Sequence, residues 1–157
     1  MTSEAVLWTS GIMAFLHHLA AFTLTGVIIY EHITFRKDLS LAEARRIQIM
    51  DILYGVSAGV LVVVGLLRVF YFEKGAAFYA QNWFFWTKML GFVLAGAFSI
   101  YPTIRFLSWR KFTTRNQVPE ISDAEVARIK LILRLETLAI AIIIFSAAMM
   151  ARGVGMM

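Results

Sequence analysis

The sequence predicts an all-α integral membrane protein, a single domain of residues 1–157 folded as a four-helix bundle. Apolar residues make up 60% of the chain and charged residues 16%, whereas about 25% of the residues in a soluble domain are charged. The mean hydropathy is +0.74. The charged residues cluster between four long apolar stretches. Because cysteine is absent, the chain has no disulfide, thiolate metal site or cysteine nucleophile.

Each apolar stretch is long enough to cross a bilayer as a helix. At about 1.5 Å per residue, roughly 20 residues cross a hydrocarbon core about 30 Å thick. The predicted spans are residues 5–30, 47–72, 82–107 and 128–150. Irregular backbone exposed to lipid is excluded from this region, so each span is expected to be helical. The N-terminus lacks the basic segment of a signal peptide, so we expect the first span to be retained.

The loops after the first and third spans carry most of the positive charge. Their basic residues are Arg36, Lys37, Arg45, Arg46, Arg110, Lys111, Arg115, Arg128 and Lys130. The positive-inside rule therefore predicts cytoplasmic loops and extracytoplasmic termini. We interpret the net charge of +5 as a topology signal and expect no nucleic-acid partner, because no basic patch interleaved with aromatic residues occurs outside these loops.

Two related segments precede the second and fourth spans. Residues 39–47 and 121–129 share Ser, Ala, Glu, Arg and Ile at matching positions, and both contain an S-x-x-E capping box. Ser40 and Ser122 are therefore predicted to cap the two helices. The similarity is explained equally by a duplicated helical hairpin and by convergence, since both helices enter the membrane from the same side.

Two adjacent histidines lie near the middle of the first span. His17 and His18 are roughly 18–20 Å from its start. Their side chains point about 100° apart, so at most one faces a given pocket. Each could be a ligand to a cofactor, or could bond a neighbouring helix as structural glue. His18 shares its stripe with the small residues Gly11, Ala14 and Ala21, which could let a second helix approach closely.

Polar residues also mark one face of the second and third spans. A heptad seam that should face the bundle interior contains Asp51, Tyr54, Ala58, Leu61, Gly65 and Arg68. In the third span Lys88 precedes a stripe of small residues, Gly91, Ala95 and Ser99. Arg68 and Lys88 lie near the outer edge, where snorkelling to the interface is the alternative to a ligand-binding role.

The balance of charge differs between the two halves of the bundle. In the inner half, arginines are available to pair with the acids Glu31, Asp51 and Glu136. The candidate arginines are Arg36, Arg46, Arg105 and Arg134. In the outer half Glu4 and Glu73 face a larger number of cations, namely Arg68, Lys74 and Lys88. Partly buried cations without enough acids indicate an anionic ligand.

A histidine near the midplane with cations further out fits haem b, whose iron would bind histidine and whose propionates would bind the cations. The candidate cofactor-binding residues are His17, His18, Arg68, Lys88 and Tyr54. The remaining histidine, His32, lies on the same helix, so one subunit does not supply two histidines from facing helices. The second ligand would come from a second subunit, from Met, Tyr or water, or the iron would be five-coordinate. The small-residue faces and this histidine count predict a homodimer.

Several motifs resemble a bacterial family of four-helix membrane proteins of unknown function. They are LHHLAAF (16–22), YEH (30–32), DILYG (51–55), GLLRVFYFEKG (65–75), FYAQNWFFWTK (78–88), YPTIRFLSW (101–109) and MARG (150–153). The resemblance implies a bacterial inner-membrane location. The family is distantly similar to HemJ-type protoporphyrinogen oxidases and CopD-type membrane proteins.

The resemblance to HemJ-type proteins implies that His17 holds haem iron, with His18 the alternative, and that Lys88 is the third-helix lysine. Other positions that match the pattern are Glu31, Asp51, Tyr54, Arg68, Lys74 and Tyr79. The chain departs from HemJ-type proteins after the first helix, where YEHITFRK lacks their Pro-Arg pair. Oxidase activity is therefore not implied as firmly as haem binding.

The leading hypothesis is a haem b-binding membrane protein with a redox, electron-transfer or porphyrin-related role. The alternative is a non-enzymatic membrane module, such as a transporter subunit or an assembly factor. A third hypothesis is a purely structural bundle whose polar residues serve packing. Whether the chain is an enzyme, and what its redox partner is, stay open at this point.

Overall fold

The computed structural model describes residues 3–73 and 75–157 and consists of helices joined by short connections. The helices are α1 (Ser3–Thr34), α2 (Leu41–Leu67), α3 (Ala76–Ala80), α4 (Trp83–Ser108), α5 (Arg110–Thr113) and α6 (Asp123–Ala151). A π-helical turn, Arg68–Phe72, continues α2. The β-structure in the described residues is one isolated bridge, between Asn82 and Met156.

Four of these helices, α1, α2, α4 and α6, are long and apolar enough to cross a membrane. They confirm the predicted all-α membrane bundle. Helices α2 and α6 begin several residues before the predicted spans, because their first turns carry the charged residues that follow the caps. The predicted start of the third span, Asn82, is the N-cap of α4, and its side chain accepts a hydrogen bond from Phe84 N at 2.9 Å.

Both predicted serine caps are present. Ser40 forms a full capping box with Glu43, in which each side chain bonds the other residue's backbone N–H. Ser122 accepts a hydrogen bond from Glu125 N. The Glu125 carboxylate instead accepts two hydrogen bonds from Arg105, at 2.6 and 2.8 Å. The first turn of α6 is therefore bonded to α4 through Glu125.

The bundle is built from two closely packed helix pairs, α1 with α2 and α4 with α6, whereas α2 and α4 contact each other less. The core is concentrated near the loops 35–40 and 114–122, which we call the basic end. There Phe35, Phe106 and Trp109 pack their rings together. Large apolar side chains elsewhere are exposed on the outer surface of the bundle, as a bilayer solvent requires.

The two basic loops lie at one end, and the start of α1 and the end of α6 lie at the other. At the basic end, Lys37 Nζ lies 2.7 Å from Asp123 Oδ1, and this ion pair raises the pKa of Lys37. At the opposite end, Ser10 Oγ donates to the Phe72 carbonyl at 3.4 Å. This arrangement is the one required by a chain that crosses the membrane four times.

A C-terminal hook, residues 152–157, closes the end opposite the basic loops. Asn82 is fully buried and its Nδ2 donates to the Val154 carbonyl at 3.0 Å. Trp83 N donates to the Gly155 carbonyl at 2.9 Å. Gly155 has a φ of 86°, a conformation that favours glycine. The closing segment of the chain therefore holds the start of α4.

Candidate functional site

The structure brings four of the sequence-predicted residues together in a group that we call the histidine cluster: His17, His18, Arg68 and Lys88. His17 lies within electrostatic range of the other three. These residues come from α1, from the π-helical turn after α2, and from α4. The heptad seam on α2 faces inward as predicted, since its residues from Asp51 to Arg68 are buried or half-buried.

His17 is half-buried and is held against the backbone of α2. Its Cε1 lies 3.3 Å, and its Nδ1 3.6 Å, from the position that a Cβ would take on Gly65. The Nδ1 atom is buried and has no hydrogen-bond partner among the described residues. His18 is exposed, and its ring lies edge-on to that of His17 with centroids 6.2 Å apart. The structure thus distinguishes an inward His17 from an outward His18.

The two cations of the histidine cluster differ in their partners. Arg68 Nη2 forms an ion pair with Glu73 Oε1 at 2.6 Å, while Arg68 Nε is buried without a partner. Lys88 is half-buried, and no carboxylate in residues 3–73 or 75–157 lies within ion-pair distance of it. The outer half was expected to have too few acids for its cations, and Lys88 is the described cation that has no carboxylate partner there. Lys74, the other cation considered, lies outside the described residues.

Tyr79, one of the residues at positions that match the HemJ-type pattern, lies on α3 beside the histidine cluster. Burial raises the pKa of its hydroxyl, and the neighbouring Glu73 carboxylate adds to the effect. Glu73 is therefore shared between Arg68 and Tyr79.

Tyr54 is not part of the histidine cluster. It precedes Arg68 by 14 residues in the sequence, which corresponds to about 21 Å along a helix. Its side chain is buried near the middle of α2, where its hydroxyl lies within hydrogen-bonding reach of Glu136. The structure therefore places this candidate residue in a second polar group.

That second group is the buried acid cluster, formed by Glu31 on α1, Asp51 on α2 and Glu136 on α6 around Tyr54. The three acids are only 3%, 4% and 1% exposed. Thr103 Oγ1 on α4 donates to Asp51 Oδ1 at 2.7 Å. Glu31 Oε1 and Asp51 Oδ2 are buried and have no hydrogen-bond partner among the described residues.

Among the described residues, the three acids do not form ion pairs with the arginines available to them. Arg36 pairs with Glu43 at 2.7 Å, and Arg105 pairs with Glu125 at 2.6 Å. Arg46 and Arg134 are exposed on the surface. Arg46 and Arg134 lie on the outer faces of their helices, whereas the three acids face the interior. Sequence reasoning found all three acids, but their grouping depends on the rotation of α1, α2 and α6.

A groove of about 390 Å³ runs between α2 and α4, which pack together less closely than α1 with α2 or α4 with α6. Asp51 and Tyr54 line it together with Thr103 and Ser99. The rest of its lining is apolar and includes Phe92, Ala95, Ile100, Ile104 and Ile140. The groove thus joins a mostly apolar surface to the buried acid cluster.

Among residues 3–73 and 75–157, no group of three or more His, Asp or Glu side chains is spaced to hold a metal ion directly. The acids of the cluster lie close enough to interact electrostatically, but they do not form a ready-made set of metal ligands.

Comparison with curated proteins gave no match, and neither did comparison with solved structures. The likeness to HemJ-type and CopD-type proteins stays an expectation. A family model described as "Predicted membrane protein (DUF2214)" matches residues 9–155, a range that includes nearly all of the four long helices. The chain belongs to this family of membrane proteins.

Proposed function

We propose that the chain binds haem b in the half of the bundle opposite the basic loops, with His17 as the iron ligand and Lys88 and Arg68 holding the propionates. The observation that carries this function is the convergence of an imidazole and two cations from three separate helical segments. Charged groups within a membrane are costly and are usually retained for a function.

The residues present fit such a group. Imidazole is the commonest protein ligand of b-type haem, and His17 has a buried nitrogen without a partner among the described residues. Lys88 has no carboxylate in the described part of the chain, so a propionate would supply the missing opposite charge. Arg68 would share its guanidinium between Glu73 and a propionate through the unpaired Nε.

The protein's own contribution would be to hold and orient the group. Gly65 leaves room for the His17 ring against α2, and exposed His18 is the alternative ligand. His32 lies at the basic end, where its Nδ1 is 3.2 Å from Thr137 Oγ1, so it does not supply a second ligand. A histidine from a second copy of the chain would supply this second ligand, and we therefore propose a homodimer.

Bound haem supplies one-electron redox chemistry. The expected location is the bacterial inner membrane.

The test is the absorbance spectrum of the full chain, expressed with added haem precursor and purified in a mild detergent, followed by a pyridine haemochrome assay. Wild-type protein should show a Soret band. His17→Ala should lose the haem, His18→Ala should retain it, and Lys88→Ala should bind it more weakly. His32→Ala is the control and should retain full haem content. Circular dichroism and gel filtration establish that each variant is folded. A folded wild-type protein that stays colourless would remove the proposal.

The alternative is a non-enzymatic module, such as a transporter subunit or an assembly factor. The Arg68–Glu73 ion pair favours it, because this pair gives Arg68 a partner without any ligand. The same spectra separate the two functions. A module without haem should be colourless, and its His17→Ala variant should differ from wild type only in stability.

A further inference from the structure

We infer that the groove between α2 and α4 binds a lipid-soluble primary amine, with its protonated head beside Asp51 and its apolar part along α4. This site lies at the buried acid cluster, in the half of the bundle that carries the basic loops, and does not depend on haem binding at the histidine cluster.

The first support is an unpaired acceptor that lines a cavity. Asp51 is 4% exposed, and its Oδ2 has no hydrogen-bond partner among the described residues. The same residue lines the groove of about 390 Å³, which is within the range of small-molecule sites. A buried carboxylate oxygen without a donor is costly, so a donor entering the groove would be stabilised there.

The second support is the charge around Asp51. Three carboxyl groups, Glu31, Asp51 and Glu136, approach one another from α1, α2 and α6. Within residues 3–73 and 75–157, no Lys or Arg forms an ion pair with any of them. Tyr54 and Thr103, two polar side chains that face the cluster, carry neutral hydroxyls. A cationic head would therefore be attracted to the inner end of the groove.

The third support is the nature of the remaining surface. Phe92, Ile100 and Ile104 extend the groove along α4 as an apolar wall, and Ile100 and Ile104 are exposed on the outside of the bundle. The groove therefore opens towards the bilayer, from which an amphipathic molecule could enter.

A primary ammonium matches these features better than a metal ion. Its three N–H donors can reach Asp51 Oδ2 and a neighbouring hydroxyl together, and its apolar tail would cover the wall of α4. The described acids are not spaced as a set of metal ligands, and the apolar lining offers nothing to a hydrated ion.

The experiment compares two probes of matched shape, protonated 4-phenylbutylamine and neutral 4-phenylbutan-1-ol, on the full chain in lipid nanodiscs by calorimetric titration. Wild-type protein should bind the amine at least about tenfold more tightly than the alcohol, because only the amine is a cation. Asp51→Asn should remove most of that preference. Glu120→Gln, a change of an exposed acid outside the groove, is the matched control and should retain it. Equal binding of both probes to wild type would overturn the inference.

A second variant keeps the test decisive if Asp51→Asn does not fold. Gly96 lines the groove and has open space around it, so Gly96→Leu should fill the groove and abolish amine binding. Gly59→Leu, at an open position outside the groove, is its control and should bind normally. Unchanged amine binding in Gly96→Leu would contradict the inference. If Gly96→Leu instead converted a dimer to a monomer, a second copy of the chain would be the occupant of the groove, and this result would also contradict the inference.

His17→Ala should bind the amine as wild type does. The inference about the groove and the haem proposal can therefore fail separately.

Discussion

The imidazole of His17 packs against Gly65, with Cε1 3.3 Å from the position that a side chain at residue 65 would first occupy. This contact joins the midplane histidine of α1 to the seam of α2. It also explains why a glycine suits the position three residues before the end of the heptad seam, because a larger residue would displace the ring.

Gly65→Leu is predicted to push the His17 ring away from α2 and, on the proposed function, to lower haem content severalfold. The added side chain has no space without movement of the ring, since even a Cβ is in close contact. Haem per protein, measured by the pyridine haemochrome assay, checks the effect. Gly59→Leu on the same helix meets open space and should keep wild-type haem content. Equal haem content in the two variants would show that Gly65 does not influence the haem site.

Gly155→Ala is predicted to destabilise the fold by about 1–3 kcal/mol through strain and overpacking. Its φ is 86°, and a Cβ would lie 2.7 Å from Phe84 Cδ2. Gly153→Ala is the matched control, because Gly153 has a φ of 74° but open space around it. It should be the milder change, since it carries the backbone strain alone. Unfolding in a denaturing detergent measures both variants, and a larger loss for Gly153→Ala would contradict the packing of the hook against α4.

The C-terminus is predicted to lie outside the cytoplasm, because the basic residues within 36–46 and 110–130 should be retained inside. Alkaline phosphatase fused after Met157 should be active, since this reporter folds only outside the cytoplasm. A green fluorescent protein fused at the same position should be dark when exported through the general secretion route. The reverse pair of results would show the opposite orientation.

A homodimer is predicted, with α1 contributing to the contact. The small face on α4 is partly used within one protomer, because a Cβ on Gly91 would lie 2.9 Å from Ile143 Cγ1 of α6. Gly11 on α1 is exposed and has open space around it, so this face is available to a second copy. Native mass spectrometry from a mild detergent should give a dimer for wild type and a monomer for Gly11→Leu. Gly26→Leu, also at an open position on α1, is the control and should stay dimeric. A monomeric wild type would reject the prediction.

The predicted caps show how far local sequence information extends. Ser40 and Ser122 were identified from S-x-x-E alone, and both accept the predicted backbone hydrogen bond. The interaction involves residues three apart on one helix, so it forms almost independently of the rest of the fold. The partner of the Glu125 carboxylate was not predictable in this way, because Arg105 lies on another helix.

The histidine cluster was predictable in part. The depth of His17 in the first span and of Lys88 in the third placed both in the same half of the bundle. Depth does not determine rotation, however, and which of the two adjacent histidines faces inward depended on the packing of α1 against α2. The ion pair of Arg68 with Glu73 spans the π-helical turn, for which the sequence offered no signal.

By itself, the sequence determined the class of the protein, the four spans and the inward seam of α2. Hydrocarbon thickness sets the length of an apolar helix, and helical periodicity sets which residues share a face. Only the tertiary structure decided that Glu31, Asp51 and Glu136 face one another while the nearby arginines pair elsewhere, and that the C-terminal hook binds the start of α4. These contacts join residues far apart in the chain, and they depend on how each helix is rotated about its own axis in the bundle.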